Sequence, residues 1–187
     1  MTRVAALEFK TQFMSADSAA MSTIFSGCNL FVNNDSGNTA SIVSNAAGEG
    51  LGNLIVGYNS TGHRLGNDVR TGSHNLIVGD DNNYSSYGGI AAGRFATISG
   101  IYASVLGGYG NTASGDTATV SGGDSNTASG RNAAVSGGIR NTASGNWASV
   151  SGGQYGNAPG VSASISGGDS RYQSHDAGWS GGSYHSP

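Results

Sequence analysis

From residue 90 onward one apolar residue returns at nearly fixed intervals among Gly, Ser, Ala, Asn and Thr. Six units begin at Ile90, Val105, Val120, Val135, Val150 and Ile165. The interval between leaders is constant over these six, and one final step, a single place shorter, puts Trp179 in the leading place. Numbered from that leader, place 4 is Gly93, Gly108, Gly123, Gly138, Gly153 and Gly168. Place 11 is Gly100, Gly115, Gly130, Gly145 and Gly160, and place 14 is Ala103, Ala118, Ala133, Ala148 and Ala163. Around the leader, places 14, 1 and 3 read Ala, Val, Gly, with Ser, Thr or Ala mostly between them. In a second stretch Ile98, Ala113, Ala128, Ala143 and Ala158 lie between a Thr column (Thr97, Thr112, Thr127, Thr142) and a Ser column (Ser99, Ser114, Ser129, Ser144), with Asn157 and Pro159 flanking the last. Alternation with period two predicts a strand with one face in and one out. Two glycines about half a unit apart predict two turns at positive φ. Two strands and two turns per unit, repeated in register, predict the coil of an all-β parallel β-solenoid. A helix is excluded by the fixed glycines and the Ser/Thr content.

Looser copies lie upstream. "GLGNLIVGYN" (50–59) and "GSHNLIVGDDNN" (72–83) put Leu54 and Leu76 in the leading place and Gly57 and Gly79 in place 4. Place 3 then runs Val56, Val78, Ala92, Gly107, Gly122, Gly137, Gly152, which predicts an inward face losing bulk toward the C-terminus. Residues 58–74 read as an excursion between two early coils. Residues 1–49 read as an N-terminal cap or connector, its first part carrying Leu7, Phe9, Phe13, Met14, Met21 and Phe25, and 50–187 as the repeat domain.

Composition supports order over disorder. Glycine is 33 of 187 residues, against roughly 7% in ordinary proteins. Charged residues are only 10%, and 2 Pro, one Lys and two Glu are fewer than a disordered chain would carry. So thin a coil cannot bury a core alone, which predicts stacking and association as a symmetric trimer or dimer. Asp116 and Arg131 share place 12 in successive coils and read as a stacked charge pair. Asn111, Asn126 and Asn141 share place 7 and read either as an amide ladder or as turn residues tolerant of left-handed φ.

The net charge of −3 and the scattered basic residues exclude the clustered Lys/Arg face of a nucleic-acid binder. The single Cys28 excludes an intrachain disulfide and multi-cysteine metal sites, and reads as a small buried hydrophobe. "MTRVAALEFKTQF" does not read as a secretion signal, and no stretch reaches the ~18 apolar residues of a membrane span.

The "NLIVG" of 53–57 and 75–79 resembles the Ser-Val-Ala-Ile-Gly core of the head repeats of trimeric autotransporter adhesins. The "VSGG..NTASG" units are similar to degenerate repeats of bacterial surface proteins with comparable heads. The resemblance covers residues 50–187 and implies a left-handed parallel β-roll, a homotrimer, and an outer surface that binds host matrix or other cells; a glycan or other cell-surface ligand is expected from the aromatics at the irregular places. The family repeat is commonly one place shorter and carries Ile or Val in place 3, whereas Gly stands there from Gly107 onward.

The chain offers no catalytic set, so a non-enzymatic role without cofactors is expected. His63, His74, His175 and His185 are spread over turns and the C-terminal end, and "HRLGND" (63–68) is one isolated copy of a calcium-repeat fragment. The Gly-rich stretches lack the Lys of a phosphate loop, Asp80-Asp81 reads as a turn, and Asn59-Ser60-Thr61 fits a glycosylation acceptor. The candidate binding features are the hydroxyl columns Thr97/Ser99, Thr112/Ser114, Thr127/Ser129 and Thr142/Ser144, and the aromatics Tyr109, Trp147 and Tyr155, with Tyr84, Tyr87 and Tyr102 beside them. The resulting expectation is a structural or adhesive module, extracellular or on a cell surface, without membrane insertion. An ice binder using the Thr-x-Ser grid and a segment of a phage or injection-machine tail fibre are the alternatives.

Overall fold

A computed structural model describes residues 14–17, 22–25, 30, 32, 38–39, 50–60 and 68–182. The chain forms two compact units, residues 1–32 and 33–187. In the first, Met14–Asp17 pairs antiparallel with Ser22–Phe25. The expected cap residues Leu7, Phe9, Phe13 and Met21, together with Cys28, His63 and His185, lie outside the described residues.

The second unit is a parallel β-solenoid, with no helix among the described residues. One wall is a nine-stranded sheet running from Leu54–Val56 through Leu76–Asp80, Ile90–Arg94, Ser104–Val105, Thr119–Val120, Ala134–Val135, Ser149–Val150 and Ser164–Ile165 to Trp179–Ser180. The other is a six-stranded sheet of Asn83–Tyr84, Thr97–Ile98, Thr112–Ala113, Thr127–Ala128, Thr142–Ala143 and Asn157–Ala158. Val105, Val120, Val135, Val150 and Ile165 stand one above another, as do Ile98, Ala113, Ala128, Ala143 and Ala158. Both columns are fully buried, and the Ala column of place 14 buries beside them. Inward residues this small bring backbone close to backbone, so much of the interior is amide rather than hydrocarbon.

The early coils depart from the expected register. Ala91, not Ile90, stacks on Val105, one place short of the full repeat, while Arg94 stacks on Tyr109 at the full repeat. One residue is therefore added at the corner after Leu106, and it is Gly107. Upstream, Ile77 rather than Leu76 holds the buried column, and Ile77 pairs with Ala91. Place 3 is thus not an inward column: Val56, Val78 and Ala92 line up with the outward Leu106, and a Cβ on Gly107, Gly122, Gly137 or Gly152 would meet nothing within 4 Å. Inward bulk does fall along the chain, but on the other wall, from Tyr84 to Ile98 to the alanines. At the C-terminal end Ile165 pairs with Ser180 and Ser164 with Trp179, so the last step is also a full repeat and Trp179 points outward. The step from Leu54 to Leu76 is eight places longer than the step from Leu76 to Ile90. The excursion is therefore shorter than 58–74, and part of that segment belongs to the coil.

The turn chemistry is also redistributed. Place 4 has positive φ, from 83° to 111°, but place 11 does not. Glycine is needed there for contact, because a Cβ on Gly100, Gly115 or Gly130 would lie 2.0 Å from the carbonyl oxygen of the glycine in the next coil. The left-handed corners are instead built largely from residues that are not glycine. Phe95, Ser125, Arg140, Tyr155 and Ser170 form one line and Tyr102, Thr117, Asn132, Trp147, Ser162 and Ala177 another, all with φ between 53° and 59°. Such a conformation costs a side-chain-bearing residue on the order of 1 kcal/mol. Bonds back to the previous coil hold it, such as Ser125 N to Tyr109 O at 2.9 Å and Trp147 N to Arg131 O at 2.8 Å.

Of the two readings for place 7, the amide ladder is the one adopted. Each buried Asn accepts on Oδ1 from the next coil, Asn126 N to Asn111 and Asn141 N to Asn126, both at 2.9 Å. Its Nδ2 donates to the carbonyl four places back and to a glycine carbonyl of the next coil, Gly122 and Gly138 for Asn126. Asp116 turns its carboxylate to the Ile101 amide of the preceding coil at 3.0 Å, so column 12 is tied through backbone rather than by the expected charge pair with Arg131.

Candidate functional site

The six-stranded wall orders the hydroxyl columns. Thr97, Thr112, Thr127 and Thr142 lie in register one coil apart, and the column continues into Asn157. Their backbone amides are committed to the ladder, with Thr97 N donating to Asn111 O at 2.9 Å and Thr112 N to Asn126 O at 2.8 Å. Side chains alone remain to face outward. The threonines are half-buried, and Ser99, Ser114, Ser129 and Ser144 beside them are exposed. Stacked strands set the columns ~4.8 Å apart between coils and ~6.7 Å apart along the strand. Pro159 stands where a fifth serine would, and the grid ends there.

The aromatic candidates separate into two groups. Tyr109, 48% exposed, belongs to the line of single bridges Arg94–Tyr109–Asp124–Ile139–Gln154–Asp169, and Tyr155, likewise 48%, stands beside it on the left-handed corner. Trp147 lies on the other left-handed corner, in the line that begins with Tyr102. Tyr84 is buried in the core, where it fills the early coil on that wall. Tyr87 and Tyr102 meet edge to face at 5.5 Å.

Two shallow cavities stand out. One of about 320 Å³ is lined by Phe95, Thr97, Tyr109, Gly110 and Thr112. Phe95 and Tyr109 meet edge to face with ring centres 5.2 Å apart, and the Arg94 guanidinium lies 4.7 Å from the Phe95 ring centre. The second, about 370 Å³, is lined by residues that include Leu51, Ile55, Tyr58, Arg70 and Tyr84 in the first described coils. Sequence reasoning named Thr97, Thr112 and Tyr109 separately and missed Phe95 and Gly110. Farther along, Arg140 lies over the Tyr155 ring at 5.8 Å and donates to its hydroxyl at 3.3 Å.

Ionisable groups are sparse on these faces. Hydrogen bonds from Ser170 and then Gln154 hold the Asp169 carboxyl below its ordinary range. His74 lies 3.1 Å from the Ser73 hydroxyl, and His175 is exposed at the C-terminal end. Among the described residues no group of three or more His, Cys, Asp or Glu is placed to hold a metal ion, and no helix is long and apolar enough to cross a membrane. Comparison with family models, curated proteins and solved structures returns no match to this chain. The fold defines its class, a parallel β-solenoid, and its outward columns are the starting point for function.

Proposed function

We propose that this chain is a non-catalytic structural and adhesive module: a left-handed, homotrimeric solenoid head that presents a small-residue surface for attachment to a cell surface or matrix. The observation that carries the reading is the outward order of the solenoid, with hydroxyl columns in register on one wall and exposed aromatics along the adjoining corner. A rigid ladder that commits the wall amides to itself leaves side chains as the recognition elements, as a surface binder requires. The larger wall supports association. Its exposed Ser121, Ser136, Ser151 and Ser166 are neutral and small, so copies can lie side by side with little steric or electrostatic penalty. The test is retention of beads coated with the protein on matrix-coated and cell-covered surfaces, paired with sedimentation at micromolar concentration. Trimers that hold the beads above a bland control are expected; a stable monomer, or retention equal to the control, contradicts the proposal.

The in-register Thr-x-Ser grid favours one second reading, an ice-binding face. Thermal hysteresis that exceeds a bland control and falls on Thr127→Leu would replace the adhesive reading.

A further inference from the structure

We propose that the depression formed by Phe95, Thr97, Tyr109, Gly110 and Thr112 is a glycan subsite that takes a neutral pyranose ring. This rests on the attachment reading and names its ligand class. The starting observation is a missing side chain. Along the left-handed corner, Phe95, Ser125, Arg140, Tyr155 and Ser170 all project side chains from the same backbone conformation, and only Gly110, at φ 65°, projects none. Its neighbours adopt that conformation without glycine. Packing does not demand glycine either, because a Cβ at Gly110 would sit 3.4 Å from Ser125 Oγ, an ordinary contact. The effect of the gap is to leave the Phe95–Tyr109 wall open beside the Thr97–Thr112 floor.

That combination matches the two chemistries of a sugar ring. The C–H face of a pyranose packs on aromatic rings, and its hydroxyls exchange hydrogen bonds with threonine hydroxyls, which both donate and accept. The surrounding charges are already engaged: Arg94 lies on the Phe95 ring and the Asp124 carboxylate accepts from the Ser125 hydroxyl. A neutral ring therefore fits better than an acidic one. An extended peptide fits poorly, since strand addition needs free backbone groups and the amides of Thr97 and Thr112 are bonded within the ladder. The volume, about 320 Å³, is at the small end of the roughly 300–1,000 Å³ range of ligand sites and suits one or two sugar units. Several copies presented together raise the avidity of a single shallow site without any new contact.

The test is saturation-transfer NMR on the full chain with methyl β-galactopyranoside, methyl α-mannopyranoside and N-acetylglucosamine as probes. Gly110→Tyr fills the gap with a side chain that the same corner already carries at Tyr155, and Tyr109→Ala removes half of the aromatic wall; circular dichroism checks that both keep the fold. Transfer to at least one probe is expected in the parent chain, reduced more than about tenfold in both variants and unchanged in Ile139→Ala, an exposed side chain two coils further along the same line. No transfer to any probe, or undiminished transfer in Gly110→Tyr, overturns the subsite. Bead retention on enzymatically deglycosylated surfaces separates the two levels. Retention there with no sugar transfer removes the subsite and keeps the attachment reading, whereas sugar transfer without retention on any surface does the reverse.

Discussion

The early and late coils solve one packing problem differently. Between Leu76 and Ile98 the coil is one place shorter, and its interior is filled by Ile77 and Tyr84 in one storey and by Ala91 and Ile98 in the next. From Val105 on the coil has its full length, and every storey holds a Val or Ile facing an Ala. The early part also uses a second amide column at place 14. Asn75 N donates to Asn53 Oδ1 at 2.9 Å and Gly89 N to Asn75 Oδ1 at 2.8 Å. Ala103 and its successors occupy that column later, and the buried ladder is left to Asn111, Asn126 and Asn141. The corner glycine and the exchange of Asn for Ala go together. Early coils are irregular and individually fitted; late coils are interchangeable, and each depends on identical contacts above and below.

Interchangeable storeys should be most sensitive where backbones touch. Gly130→Ala drives a methyl into the Gly145 carbonyl and is expected to cost more than about 4 kcal/mol in urea unfolding, the range of severe core disruption. Gly122→Ala, in the same storey but facing open space, is expected within about 0.5 kcal/mol of the parent. Equal effects of the two would dissolve the distinction between contact glycines and corner glycines. In the early part, Tyr84→Ala should cost about 3–5 kcal/mol and open the first coils to hydrogen exchange before the late ones, since a buried aromatic is removed from the inward column.

The amide ladder allows a prediction of each sign. Asn126→Ala leaves the Gly122 carbonyl and the Asn141 amide without their partner and removes one of the two donors to the Gly138 carbonyl, which keeps Asp124 N, a loss of about 3 kcal/mol. Ala96 interrupts the same column: its amide donates to Asn82, but it offers no side-chain carbonyl to Asn111. Ala96→Asn should therefore stabilise the junction between the two coil types by about 1 kcal/mol, read as a raised urea midpoint. A destabilised Ala96→Asn would mean that the shorter coil has no room for the ladder.

The smallest expected effect is electrostatic. Asp169 has its pKa lowered by the Ser170 and Gln154 hydrogen bonds, so its contribution is present above the ordinary carboxylate range and is lost as pH falls through its folded value. Acidification should release the Gln154–Asp169 link, seen as a shift of the Gln154 side-chain amide resonances with little change in global stability. Asp169→Asn should abolish the pH dependence of that shift.

The late coils were legible in the sequence because their columns repeat almost letter for letter, so Val120, Val135 and Val150 announce their own alignment. The hydroxyl grid was legible for the same reason. The early register was not, because Ile90 is larger than Ala91 and draws the leader to the outward position; one added residue at a corner leaves no mark in the side chains. The left-handed corners were hidden by their variety, since Phe, Arg, Tyr, Trp and Ser do not signal positive φ. The depression at Gly110 was invisible because it depends on a side chain that is missing and on two rings, Phe95 and Tyr109, that only stacking makes neighbours.

The central claim is one storey per repeat, stacked in parallel with the valines in a single file. Methyl–methyl nuclear Overhauser contacts on valine-labelled protein test it most directly. Contacts from Val135 to both Val120 and Val150, with none between Val120 and Val150, are what the solenoid predicts. Val135 methyls in contact with neither neighbour would contradict it.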